Sequence, residues 1–203
     1  MEVGAFVKLV TWLIAVVNPL EAVPTYLAVT SGCSQRAGLK VALTATMTVL
    51  TLLAGAAFLG VPVLNFFQIN LASFRIAGGI LLMVVALGMF SSQPREPDQP
   101  EEAADNPGVV PIGLPLLAGP GAIAATILAG QEYRPRMGDV ALLAALLITA
   151  LAVLGVLYAA LKMGRFISRT GINIMTRLMG LFIAAIAVEF ILEGLARTFP
   201  ALR

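Results

Sequence analysis

Residues 18–30 read NPLEAVPTYLAVT, an asparagine, two prolines and a glutamate following the apolar run FVKLVTWLIAVV at residues 6–17. An apolar stretch of this length suits a helix crossing the ~30 Å hydrocarbon core of a bilayer. Proline inside a helix removes a backbone donor and clashes with the preceding turn, costing ~3 kcal/mol. The stretch therefore predicts a membrane helix that stops near Asn18 and restarts near Pro24 or Thr25.

The rest of the chain supports the membrane reading. Of 203 residues, 59% are hydrophobic and 12% charged, and the mean hydropathy is +0.95. A soluble domain is nearer half apolar and a quarter charged. Residues 41–74, 76–94, 106–131 and 140–161 carry no charge at all. Six spans are expected, at roughly 5–30, 39–63, 70–91, 109–130, 139–162 and 176–197, as helices because an open strand would leave its backbone unpaired in lipid. Within the second, Gly55, Ala56 and Gly60 suit close helix contact. The N-terminus lacks the basic cluster and early small-residue cleavage site of a signal peptide, and reads as the first span itself.

Residues 92–108, SQPREPDQPEEAADNPG, form a polar loop that divides the chain into halves at 1–91 and 109–203. The halves resemble each other. PLEAVP at 19–24 matches PLLAGP at 115–120, and RIAG at 75–78 matches RLMG at 177–180. Each half holds an odd number of spans, so the second enters the membrane from the opposite side. The expected fold is all-α, a polytopic membrane protein of two inverted three-helix repeats with helices 1 and 4 broken. Secondary transporters built in this way hold substrate near the midplane, at the broken helices.

The second break is expected between Leu114 and Gly121, with Pro24 and Pro120 opening the downstream half-helices, where proline is favoured. Freed amides at those starts attract an anion, and carbonyls at the ends of the upstream halves suit an ammonium or a cation. Asn18, Pro19, Glu21, Pro24 and Thr25, with Pro115, Gly119, Pro120, Gly121 and Ala122, are the candidate substrate-binding residues. Glu21 and Glu189 are carboxylates within spans, and intramembrane carboxylates usually face a partner or a wet cavity. Each is a candidate for proton or ion coupling, against a structural hydrogen bond or ion pair. Glu193, one turn after Glu189, signals that this end of span six is becoming wet. Arg75 and Arg177 open spans three and six as anchors, or as a symmetric pair that closes each side. Gly78, Gly79, Gly180 and Ala184 are small residues at packing spacing, placed to let spans three and six approach the broken helices.

NPLEAVPTYLAVT resembles the pattern Asn-Pro-x-Gly-x-x-Pro-x-Phe-x-x-Leu-Thr of the MarC family of bacterial inner-membrane proteins. FRIAGGILL at 74–82, PLLAGPGAIA at 115–124 and AIAVEFILEGL at 185–195 resemble its later blocks, in the same order. The resemblance implies six helices in an inner membrane and kinship with carriers of small neutral amino acids such as glycine and alanine. It singles out Asn18, Pro19, Pro24 and Thr30, then Pro115, Gly119, Pro120 and Gly121, then Arg75, Gly78 and Gly79. Glu21 departs from it, standing where glycine is common, and Glu189 stands where glutamine is frequent.

The expected function is secondary transport of a small neutral amino acid, a zwitterion, or a similar small polar solute, with coupling to H+ or Na+ left open. A membrane scaffold or signalling component is the alternative, as is a passive channel. No enzyme is expected. There is no histidine for a zinc site or a Ser–His pair, Asp98, Asp105 and Asp139 lie in loops or at an edge, and no nucleotide-binding motif appears. The one cysteine, Cys33, excludes an internal disulfide and a multi-cysteine metal site. No cofactor, metal or nucleic acid is implied, and a homo-oligomer is compatible with the sequence. Basic residues are nearly balanced between the two faces. Lys8 and Arg75 lie in or at the edge of spans, which places the termini on the outer side.

Overall fold

The computed structural model describes residues 3–90, 106–163 and 169–199. The polar stretch expected at 92–108 lies outside these residues up to position 105. Helices α1 (Val3–Val17) and α2 (Ala22–Val29) are followed by α3 (Gln35–Phe66) and α4 (Leu71–Phe90). A π-helical segment, Gly108–Leu117, leads into α5 (Pro120–Met163), and α6 (Arg169–Thr198) completes the fold. No strand occurs among the described residues. Four helices are long and apolar enough to cross a membrane, and the bent pair α1–α2 is a fifth candidate. Outward-facing side chains such as Val84, Leu87, Leu147, Leu151 and Leu181 are the apolar surface that lipid requires.

At 44 residues, α5 would be about 66 Å long as a straight helix, twice the hydrocarbon thickness. It is not continuous. Gly138, at φ 79° and ψ 170°, adopts a conformation essentially confined to glycine and breaks the helix into arms at 120–137 and 139–163. The second arm coincides with the fifth expected span. Helix α6 starts at Arg169, earlier than expected, because RTGINIM continues the helix at its polar end.

Two tight helix pairs organise the bundle. Helix α4 runs antiparallel to α6, and a Cβ on Gly79 would lie 2.7 Å from the Ala187 carbonyl oxygen. One on Gly194 would lie 3.0 Å from the Ala72 carbonyl oxygen, and one on Gly180 would lie 3.0 Å from Met89 Cβ. The expectation that these glycines serve the broken helices holds for Gly78, which faces Ala124 of α5, while Gly79 and Gly180 join α4 to α6 instead. Helix α3 packs along α5. Gly60 accommodates Ile127, Gly130 lies against the Ala57 backbone, and at the far end Gly38 lies against Leu161. Gly55, expected at such a contact, meets nothing within 4 Å. Five residues of helix turn it away from the face that carries Gly60.

Candidate functional site

Helix α1 ends where the sequence predicts. Asn18 has φ 45°, a left-handed conformation that asparagine tolerates better than most residues. Its amide closes the last turn on the Ile14 carbonyl at 2.9 Å, and its carbonyl accepts the Glu21 amide at 3.0 Å. The axis then bends by 54° into α2. Asn18 is 3% exposed, and its side-chain amide donates to Glu21 Oε2 at 3.4 Å. Pro19 is buried and Glu21 and Thr25 half-buried, whereas Pro24 is exposed. The restart comes at Ala22, not at Pro24 or Thr25. Pro24 falls in the first turn, where it breaks no helical hydrogen bond.

Sequence reasoning passed over the residue that pins α2. Tyr26, fully buried, donates its hydroxyl to the Gly38 carbonyl at 3.0 Å and so ties this half-helix to the start of α3. The signal was present in the motif itself, as a tyrosine where the resembling pattern has phenylalanine. Thr30 donates its hydroxyl to the Tyr26 carbonyl at 2.7 Å, which occupies it at the helix end.

The second break is built differently. Val110 and Leu114 take extended dihedrals within the π-helical segment, and Ala118 (φ −99°, ψ 52°) separates it from α5. The Ala118 amide reaches five residues back to the Gly113 carbonyl at 3.0 Å. Pro120 then opens α5 as expected. Gly121 is buried where a Cβ would meet Leu82 at 2.7 Å, and Ala122 is buried beside it. Gly119 is half-buried and Pro120 exposed. Pro115 lies in the π-helical segment, with its side chain outside those described.

The two breaks share one core. Val17, Ala22 and Val23 of the first belong to the same buried cluster as Leu117, Ala118 and Ala122 of the second, and α2 packs against both the π-helical segment and α5. An apolar cavity of about 310 Å³ opens beside the first break, lined by Leu20 and Val23, by Val156 and Met163 of α5, and by Met175 of α6.

The predicted charges separate. Glu21 sits at the first break, but Glu189 is exposed on α6 between Val188 and Leu192, facing out of the bundle. Arg177 is exposed as well, whereas Arg75 is 3% exposed. Arg75 pairs with Glu132 of α5 at 3.5 Å and with Glu193 of α6, and lies over the Phe190 ring at 5.8 Å. Its Nε is buried without a hydrogen-bond partner among the described residues. Neither acid is among the sequence candidates. They could have been found by asking which carboxylates the topology brings to an arginine isolated in a charge-free run. Nearby, Arg134 pairs with Asp139 across the Gly138 break at 2.5 and 3.2 Å. No group of acids or cysteine able to hold a metal ion occurs among the described residues.

Comparison with known proteins gives these features a context. The model of the "MarC family integral membrane protein" matches residues 3–199. The UPF0056 membrane protein YhcE of Escherichia coli K12 is 37% identical over 97% of this chain and 94% of its own length. A UPF0056 membrane protein of Methanocaldococcus jannaschii is 35% identical over 96% of this chain and 98% of its own. No solved structure gives a significant match. The chain belongs to the MarC family of integral membrane proteins.

Proposed function

We propose that this protein is a secondary active transporter of small neutral amino acids, or of similar small polar solutes, working by alternating access. The observation that carries the reading is the pair of helix breaks, at 18–21 and 118–119, set in one buried core. Each break ends one helical segment and begins another, and helix ends carry carbonyls and amides beyond those their own turns satisfy, which in lipid must find partners. A zwitterion satisfies both kinds of group. Asn18, Glu21 and Thr25 on one side, with Gly119, Gly121 and Ala122 on the other, are the contacts in this reading.

The architecture that suits it has six crossings in two inverted repeats. The break at Gly138 supports it by dividing α5 into two membrane-length arms, and the antiparallel packing of α4 on α6 supports it because an in-plane pseudo-twofold would relate those helices. The setting is a bacterial inner membrane with the termini outside. Coupling to H+ or Na+ falls to Glu21 rather than Glu189, since Glu21 alone lies at a break.

The test is counterflow in proteoliposomes preloaded with unlabelled amino acids and supplied with labelled glycine, alanine or serine. Accumulation of label is the expected result, and its absence with folded protein overturns the proposal. In the Glu21→Gln variant, exchange survives while pH-driven uptake falls. Unchanged pH dependence assigns Glu21 a structural role.

A further inference from the structure

Helices α4 and α6 are joined through backbone-close glycine contacts, and α3 is joined to α5 in the same manner. Between these two units, Gly78 lies against Ala124 and Gly121 against Leu82, both side-chain rather than backbone contacts. Among the described residues, an ion pair crosses that seam at Arg75. Arg75 of α4 is held within its own unit by Glu193 of α6 and reaches over to Glu132 of α5. The guanidinium is dry at 3% exposure, while Glu132 and Glu193 are 34% and 42% exposed.

We infer that the Arg75–Glu132 pair is the latch that closes one mouth of the transport path, with Glu193 as the group that keeps Arg75 aimed. The inference rests on the carrier reading. A buried arginine must keep a partner. Glu193 supplies one whether or not Glu132 is engaged, so the crossing pair can part without stranding a charge in lipid. Glu132, already about a third exposed to water, loses little by release. It stands on the arm of α5 that starts at the second break, so a tilt of this arm about Ala118–Gly119 carries it away from Arg75.

The molecule is asymmetric in the corresponding way. Arg177, which matches Arg75 in the second half, is exposed and makes no ion pair among the described residues. The apolar cavity beside the first break lies at that other end, reaching Met175, which is roughly 27 Å along α6 from Glu193. The latch is fastened at one face, and the molecule is hollow at the other.

The test uses the full chain in vesicles, with Cys33→Ser and a reporter cysteine at Ala125. This residue is fully buried, two helical turns below Glu132. A membrane-impermeant maleimide is added on the latch side. Glu132→Gln raises the labelling rate about tenfold, the outcome of shifting a closed–open equilibrium by that factor. Glu189→Gln, on the outward face, leaves it unchanged. An unaltered rate in Glu132→Gln, or an equal rise in Glu189→Gln, overturns the latch. Should Glu132→Gln fail to fold, Glu132→Asp, which keeps the charge but shortens its reach to Arg75, decides: faster labelling is expected, and an unaltered rate rejects the proposal. Labelling is independent of flux, so a chain that labels as stated but shows no counterflow refutes the carrier reading, not the latch.

Discussion

At the scale of single residues, Asn18 combines two roles that substitution separates. Its backbone needs a left-handed conformation, which costs an ordinary residue roughly 1–2 kcal/mol and glycine almost nothing. Its side chain is buried and touches Glu21. Asn18→Ala is therefore expected to lower thermal stability by about that amount, while Asn18→Gly melts close to the parent. If the side-chain amide contacts substrate, both variants lose exchange in the counterflow assay. Parent-like exchange in Asn18→Gly removes Asn18 from the site. The asparagine was legible in the sequence because a polar residue before proline in an apolar run has few structural uses. Glu132 was not, because its value depends on Arg75, far away in the chain and brought near only by the packing of α4 on α5.

At the scale of elements, the glycines divide by what surrounds them. A Cβ on Gly79 runs into a backbone carbonyl, which has no rotamer to yield, so Gly79→Ala must push α4 off α6. We expect a loss of about 1–3 kcal/mol, the usual penalty of overpacking. Gly55 has open space on its outer side, so Gly55→Ala is neutral or mildly stabilising. Thermal unfolding in detergent distinguishes the two, and equal effects contradict the packing described for α4 and α6. Composition alone ranks these glycines together. Only the helical phase sets Gly60 inside and Gly55 outside, and the sequence reading did not follow that phase far enough. Proline was a better guide to breaks than to starts. It marked both interruptions, but α2 begins two residues before Pro24 because Glu21 and Ala22 already satisfy helical geometry.

At the scale of the molecule, charge-free runs located α3 and α4 to within a few residues, since burial in lipid imposes one composition on a whole helix. The break in α5 illustrates what composition leaves out. Residues 131–139 are polar enough to suggest a connection, yet the backbone stays helical up to Gly138. In the six-crossing architecture proposed above, α5 crosses twice and Arg136 and the native Cys33 lie on opposite faces, in keeping with the contacts of Arg134 with Phe58 and of Lys162 with Gln35 towards opposite ends of α3. An impermeant thiol reagent applied to one side of oriented vesicles should label Cys33 alone. Applied to the other side, it should label only a cysteine introduced at Arg136 in the Cys33→Ser chain. Labelling of both from one side contradicts the double crossing.

Helix α3 is held at Gly38 by Leu161 and the Tyr26 hydroxyl, and at Gly60 by Ile127. The interval between those fixed points is roughly 33 Å of helix rise, close to the ~30 Å thickness of a hydrocarbon core. Fastened at both ends, this strut behaves as a ruler for the bilayer. It cannot shorten in a thin membrane or lengthen in a thick one, so mismatch is absorbed by tilting the whole bundle. The thickness of the surrounding lipid thereby becomes a mechanical variable of the protein, acting through α3 on every helix packed against it.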